Sequence, residues 1–115
     1  MTQDPVLPQR IRQYLAAAPR EALPITYQQL AEALGLQPPR TIQRVAQALE
    51  ALMREDAEHG RPFIAALVVS RRGEGLPARG FFDLAVELGR FPVDPARQAG
   101  AWREAFERVM AARSA

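Results

Sequence analysis

Apolar residues recur at helical spacing in three stretches of the first half of the chain. The first predicted helix runs from about Pro8 to Ala18, with its apolar residues three and four positions apart. The second lies within ITYQQLAEALG, residues 25–35, and the third runs from about Pro39 or Arg40 to Ala57. Three helices joined by short turns predict a trihelical core over about residues 7–60.

The second predicted helix has residues that define both of its ends. Thr26 is the N-cap and Gln29 follows three positions later, which predicts a capping box. Ile25, before the cap, can pack against Leu30 and fix how the chain enters the helix. Gly35 can take the left-handed conformation that ends a helix. We therefore predict a short helix, followed by the rigid turn LQPPR that leads into the third helix.

The segment after Gly60 changes from a helical to a strand-like pattern. FIAALVVS, residues 63–70, is a continuous apolar run rich in β-formers, which predicts a buried strand. RRGEGLPARG follows as a loop, and the two phenylalanines at 81–82 can form a short second strand. The pattern predicts a β-hairpin over residues 62–82, whose loop at 71–79 carries three arginines.

The remaining residues, 83–115, are predicted to be helical. DLAVELG is typical of a brief helix, and Asp94 caps a last helix that begins one residue later. The apolar stripe of this last helix includes Trp102 and Phe106 and predicts a buried face. The elements together predict one domain over residues 1–115 with a mainly α, α+β fold. Its expected parts are a winged-helix-like three-helix core, a β-hairpin and C-terminal helices.

The third predicted helix separates apolar from polar residues around its axis. Its apolar stripe consists of Ile42, Val45, Leu49, Leu52 and Met53. Its opposite side and flank carry Arg40, Gln43, Arg44 and Gln47. Arginine can bond to guanine and glutamine to adenine in a major groove about 12 Å wide, and Thr41 suits a phosphate. The hairpin loop would bring Arg71, Arg72 and Arg79 to the flanking backbone or minor groove.

Charge is unevenly distributed along the chain, although the formal net charge is only +2. All 15 basic residues are arginine, so each one is weaker evidence for phosphate binding than usual. Residues 61–82 hold four arginines and one acid, whereas residues 50–60 hold one arginine and four acids. Those four acids are Glu50, Glu55, Asp56 and Glu58. They fall in the distal half of the third helix, where they would either point away from a duplex or limit the affinity of this region for it.

The chain offers little for catalysis or for metal binding. It has no cysteine, which excludes disulfides, thiolate chemistry and cysteine–zinc sites. His59, the single histidine, is expected to be a solvated residue near a helix end, and the carboxylates lack metal-ligand spacing. No apolar run approaches the ~20 residues of a membrane span, and the first residues lack a signal-peptide layout. We expect a cytoplasmic protein that is not an enzyme, with no cofactor, metal or evident small-molecule substrate.

Four stretches between residues 25 and 82 follow the motif order of a known family. ITYQQLAEALG is similar to a helix of the form TYxxLAxxxG, and RVAQAL is similar to the recognition helix that follows it. RPFIAALVVSRRG and GFF follow the frame of a reactive loop, a Val-Val strand and a glycine turn. The chain thus resembles the DNA-binding domain of the alkylguanine-DNA alkyltransferases and of the inactive alkyltransferase-like proteins.

This resemblance implies DNA binding without the family's chemistry. The chain has no Cys-His-Arg, which excludes alkyl transfer, and it also lacks the Trp-His-Arg of the inactive relatives. By analogy with the family, Tyr27 would contact the DNA backbone near an extruded nucleotide. The arginine that fills the resulting gap in the family corresponds here to Arg40 or to Gln43, depending on the register.

The hypothesis from the sequence is non-catalytic binding of duplex DNA through the helix at 40–54 and the loop at 71–79. The candidate nucleic-acid-binding residues are Tyr27, Arg40, Thr41, Gln43, Arg44, Gln47, Arg71, Arg72 and Arg79. The alternative is a protein-interaction or adaptor module that binds no nucleic acid, because this architecture serves both classes. The stripe of the last helix is interpreted as core, with a homodimer through residues 95–112 as the second interpretation.

Overall fold

The computed structural model describes residues 6–72 and 74–113. Its α-helices lie at Leu7–Ala17 (α1), Tyr27–Ala33 (α2), Thr41–Glu58 (α3), Arg79–Glu87 (α4) and Pro95–Arg113 (α5). Two-residue strands lie at Ile25–Thr26 (β1) and Val68–Val69 (β2), and 3-10 helices lie at Arg20–Ala22 and Ile64–Leu67. The prediction of a mainly α, α+β fold is confirmed. Gly73 of the predicted hairpin loop, with residues 1–5 and 114–115, lies outside the described residues.

The predicted ends of the second helix are confirmed in α2. The Thr26 hydroxyl accepts the Gln29 backbone N–H at 3.0 Å, and the Gln29 side chain accepts the Thr26 N–H at 3.0 Å. Gly35 has a φ of +70°, and beyond it the Leu36 N–H donates to the Ala31 carbonyl at 3.1 Å. These bonds satisfy backbone groups that a helix otherwise leaves open at its ends, so local chemistry is enough to define α2.

The predicted β-hairpin over residues 62–82 is wrong. β2 pairs in parallel with β1, with Ile25 opposite Val68 and Thr26 opposite Val69. Half of the predicted strand at 63–70 is instead the buried 3-10 helix that precedes β2. A parallel pair needs a long crossover between its strands, and the α2–α3 pair supplies it here.

Phe81 and Phe82 lie in α4 and not in a second hairpin strand. Together with Leu84 and Ala85 they form one buried face at helical spacing. The rings of Phe81 and Phe82 pack edge to face with centroids 5.4 Å apart. Arg71 and Arg72 therefore lie on the connection between β2 and α4, and Arg79 begins α4. The described residues of this segment form no hairpin wing.

Buried apolar side chains from every α-helix form one cluster. α5 joins it through Val109 and Met110, while the Trp102 indole N–H donates to the Ala66 carbonyl at 2.9 Å. The Trp102 and Phe106 rings lie 5.4 Å apart and are partly buried against the cluster. These contacts favour the interpretation of the α5 stripe as core over its use in a homodimer. Within the described ranges, no helix is long and apolar enough to cross a membrane.

The last described residue ties α5 to the end of α1. The Arg113 guanidinium donates to the Leu15 carbonyl at 2.9 Å and also to the Ala18 carbonyl. These acceptors belong to the last turn of α1 and the residue that follows it, where helix carbonyls lack partners within the helix. One side chain at the far end of the chain therefore helps to complete its first helix.

A buried aspartate connects α1, α3 and the segment that follows α3. Asp56 is completely buried, and its Oδ1 lies 2.9 Å from Arg12 Nη2 and 3.2 Å from Arg61 Nε. Its Oδ2 accepts the backbone N–H of Ile64 at 3.0 Å, which fixes the start of the 3-10 helix. Of the four acids of this region, Asp56 points neither toward a duplex nor into solvent, because it is completely buried. Its place on the same helical stripe as Leu49 and Met53 is the pattern that would have predicted its burial.

Candidate nucleic-acid interface

Several of the predicted nucleic-acid-binding residues lie on the outward face of α3. Arg40, Gln43 and Gln47 are exposed, as predicted from their position opposite the apolar stripe. Arg40 immediately precedes the helix in a left-handed conformation with a φ of +61°, and its carbonyl accepts the Arg44 N–H at 2.9 Å. Ile42 was predicted to belong to the buried apolar stripe, but 43% of this residue is exposed, in the first turn of α3. The N-terminal half of α3 is therefore open to solvent on more than its polar side.

Arg44 and Thr41 are less exposed to solvent than the other predicted nucleic-acid-binding residues of α3. Both are half-buried, and the Arg44 Nη1 donates to the Gln37 carbonyl at 2.9 Å. This bond holds the turn between α2 and α3 against the helix, so Arg44 stabilises the helix pair. Its remaining N–H groups are still donors, since guanidinium has five.

The three arginines of residues 71–79 are exposed, and two of them are associated with helices. Arg71 Nη1 donates to the Gln28 side chain of α2 at 3.1 Å, which places it beside the first turn of that helix. The Arg72 backbone N–H donates to the Ser70 hydroxyl at 3.2 Å, and its side chain is exposed. Arg79 is the first residue of α4, and its side chain is 91% exposed, 4.0 Å from Asp83.

Tyr27 contacts the protein interior and not the surrounding solvent. It is buried in the first turn of α2, and its hydroxyl oxygen accepts the Ala78 backbone N–H at 3.0 Å. This contact joins the start of α2 to the residue that precedes α4. The DNA contact implied by the family resemblance would require this buried hydroxyl to reach a phosphate at the surface, so Tyr27 is better explained as a structural residue.

The environment of Tyr27 raises the pKa of its phenol above the usual value of about 10. Burial is the largest cause, because it disfavours the phenolate. The Ala78 hydrogen bond opposes this effect, and the negative charge of Glu50 adds to it. The folded chain therefore holds the phenol proton more tightly than the unfolded chain. The resulting stability is complete below pH ~10 and is lost as the pH rises through the folded-state pKa.

We expect Tyr27→Phe to lower the free energy of unfolding by about 1 kcal/mol at neutral pH, since the Ala78 N–H loses its acceptor. Urea unfolding measures this change, and Tyr14→Phe is the matched control because the Tyr14 hydroxyl bonds to no described residue. A near-ultraviolet phenolate titration of wild type minus Tyr27→Phe should give a midpoint above ~10. A midpoint at or below the usual tyrosine value would contradict the buried, hydrogen-bonded phenol.

Glu50 lies on the α4 side of α3 and not away from the predicted interface. It lines a cavity of about 90 Å³ together with Tyr27, Ala46 and Gly80. Its Oε2 would lie 3.4 Å from a Cβ added to Gly80, so the carboxylate sits against the first turn of α4. This half-buried acid adjoins the turn that bears Arg79, so it does not point away from the predicted basic residues, as the first of the two alternatives would require.

The structure attaches two of the predicted arginines to the same helix pair. Arg71 is bonded to α2, and Arg44 is bonded to the turn that joins α2 to α3. Arg40 stands at the end of that turn. Tyr27 is buried in the core, and Glu50 lies on the side of α3 that faces α4. Helical spacing in the sequence predicts neither position.

Among residues 6–72 and 74–113, no three histidine or acidic side chains are placed to hold a metal ion. His59 is exposed, with its Nδ1 2.9 Å from the Glu55 carbonyl of the preceding turn. In comparisons with known proteins, no family model, curated protein or solved structure matches the chain.

Proposed function

We propose that the protein is a non-catalytic, cytoplasmic binder of duplex DNA. The observation that carries the proposal is the exposed polar face at the start of α3, formed by Arg40, Gln43 and Gln47. A helix of this kind, braced by a shorter helix before it, is the element that enters a major groove in helix-turn-helix proteins. Arginine and glutamine are the side chains that pair with guanine and adenine edges there.

The loop between β2 and α4 would contribute contacts to the phosphate backbone. Arg71 and Arg72 follow the strand that is paired beside α2, and both are exposed. Most protein–DNA hydrogen bonds go to phosphate and sugar, and such contacts orient a reading helix without specifying a sequence. With no hairpin wing, these arginines would act from the side of α2 and not by reaching along a groove.

The direct test is the binding of a generic labelled duplex, measured by fluorescence anisotropy at two salt concentrations. We expect log Kd to rise with log salt with a slope near 0.9 per phosphate contacted. Arg40→Ala and Arg72→Ala should each weaken binding several-fold and lower that slope by about one. Arg97→Ala removes an equally exposed arginine from α5 and should leave binding unchanged.

Two outcomes would contradict the proposal. One is no binding at low salt; the other is an equal loss of affinity in the Arg97 variant, which would indicate only non-specific attraction to charge. Absence of binding would leave the protein-interaction or adaptor module as the better hypothesis. Circular dichroism of each variant establishes that the fold is retained.

The proposal also predicts a gain of affinity from Glu50→Gln. The substitution removes a negative charge beside the first turn of α4 and keeps the size of the side chain. Because a carboxylate repels nearby phosphates, we expect binding to become several-fold tighter at low salt and less so at high salt. Glu107→Gln, on the exposed side of α5, is the matched control. Unchanged affinity for the Glu50 variant would place the duplex away from the α3–α4 side of the face.

A further inference from the structure

A second concave site lies at the opposite end of α3. It is a pocket of about 350 Å³ between the residues that follow α3, the residues that follow α4 and one side of α5. Its charged and aromatic lining consists of Arg61, Phe63, Arg90, Phe91, Glu104 and Arg108. α3 has 18 residues, so the pocket lies roughly 27 Å along the helix axis from Arg40. Its volume falls in the range of small-molecule sites.

Aromatic rings form the apolar wall of this pocket. Phe91 is half-buried, with its centroid 6.4 Å from that of Phe63 and 5.6 Å from that of Phe81. Phe63 is itself buried in the core, so the wall is held by packing from behind. A flat apolar group can therefore be received without rearrangement of the wall.

The positive charge of Arg90 is fixed in the pocket, and no carboxylate of residues 6–72 or 74–113 forms an ion pair with it. Its guanidinium carbon lies 4.4 Å from the centre of the Phe63 ring. Its Nη1 donates to the Arg61 carbonyl at 2.6 Å and its Nη2 to the Asp56 carbonyl at 3.1 Å. Both acceptors are neutral, and they hold the cation in place. Arg61, in contrast, is paired with Asp56 and Glu55.

Arg108 is the unengaged cation of the pocket. Within the described part of the chain, its guanidinium makes no hydrogen bond or ion pair. Glu104 lies one helical turn before it and lines the same pocket, where i,i+4 pairs of this kind can form, yet the two described side chains form no ion pair. The pocket thus combines a guanidinium whose N–H groups are all free to donate, a second cation held in place, and an aromatic wall. These groups can bind an anion that also carries an apolar group.

We propose that this pocket binds an organic carboxylate that carries a flat apolar group. Arg108 receives the carboxylate in a forked hydrogen bond, Arg90 supplies a fixed positive charge, and Phe91 packs against the apolar group. Glu104 opposes a second negative charge, which favours a single carboxylate over a phosphate dianion. The site is separate from the proposed DNA face and does not depend on DNA binding.

Phenylacetate is the first probe, titrated into the full chain without DNA and followed by ¹H–¹⁵N NMR. We expect saturable shifts of amides that line the pocket, including those of Gly60, Ala101 and Ala105. Methyl phenylacetate lacks the charge and acetate lacks the ring, so each should bind at least tenfold more weakly. Arg108→Gln should weaken phenylacetate binding about tenfold, whereas Arg103→Gln, on the exposed side of the same helix, should not.

A short peptide that ends in phenylalanine distinguishes two sources of the same chemistry. Tighter binding of its free acid than of phenylacetate, with no binding of its amide, assigns the pocket to protein chain ends. Equal or weaker binding of the free acid assigns it to free aromatic acids. The proposal is overturned if phenylacetate gives no saturable shifts, if its ester binds equally well, or if Arg108→Gln changes nothing. Both variants replace exposed residues, and their amide spectra report directly whether the fold is kept.

Discussion

Replacing Phe63 with alanine should lower the free energy of unfolding by about 4 kcal/mol, the largest loss expected for a single substitution in this chain. The side chain is 1% exposed, and its ring lies 6.1 Å from that of Phe81 and 6.4 Å from that of Phe91. Truncation would remove a fully buried ring of this aromatic group and also the surface on which Arg90 stacks. The rigid helices on either side limit how far the resulting cavity can collapse.

Urea unfolding followed by circular dichroism measures this loss. Phe63→Leu is the companion variant, because it keeps most of the apolar volume and should cost less than about 1.5 kcal/mol. It keeps the experiment informative if the alanine variant does not fold. A loss below about 1.5 kcal/mol for Phe63→Ala would show that the ring is not enclosed as described.

Asp56→Ala should lower the free energy of unfolding by about 3 kcal/mol. The substitution leaves Arg12, Arg61 and the Ile64 N–H without the buried carboxylate that they share. Arg12 has a side chain only 23% exposed, so solvent compensates it poorly, and the buried N–H adds its own desolvation cost. The junction between α3 and the 3-10 helix at 64–67 would lose its organising group.

Glu55→Gln is the matched control for Asp56, because Glu55 binds the same two arginines from a more exposed position. Ion pairs whose side chains are this exposed to solvent contribute at most about 1 kcal/mol to the free energy of unfolding, so this variant should be nearly as stable as wild type. Chemical denaturation of both variants gives the comparison. Equal losses at the two positions would mean that charge alone, and not burial, makes Asp56 important.

The parts of the fold that follow from neighbouring residues were predictable from the sequence. α2 is defined by a hydroxyl and an amide three residues apart and by a glycine that accepts a positive φ. The start of α5 is similar, since the Asp94 side chain accepts the Ala96 N–H at 3.0 Å. Each of these signals acts within one turn of helix, so no knowledge of the tertiary structure is needed.

The sheet could not be predicted in the same way, because its strands are far apart in sequence and only two residues long. A continuous apolar run such as 63–70 is compatible with a strand or with a buried helical segment. Phe81 and Phe82 are good strand residues individually, and only their spacing to Leu84 and Ala85 marks the helix. Burial against α3 decided between the two patterns, and that contact is a property of the whole fold.

In the candidate interface, too, the features set by neighbouring residues were predictable and those set by long-range contacts were not. Helical spacing was sufficient to predict that Arg40, Gln43 and Gln47 face solvent. It could not predict that Tyr27 turns inward to Ala78 or that Glu50 packs against Gly80, because both contacts join segments distant in the sequence. The pocket with Arg90 and Arg108 was missed for the same reason, since its walls come from three separate parts of the chain.

The bond between Arg113 and the last turn of α1 has a consequence for synthesis on the ribosome. Leu15 is made 98 residues before the arginine that donates to its carbonyl. Chains grow from the N-terminus, and at about 5–20 residues per second this interval lasts several seconds. During that time α1 and α3 can already pack, but the carbonyls at the end of α1 must be hydrated. The bonding of Arg113 to the end of α1 is therefore a step that follows translation of α5.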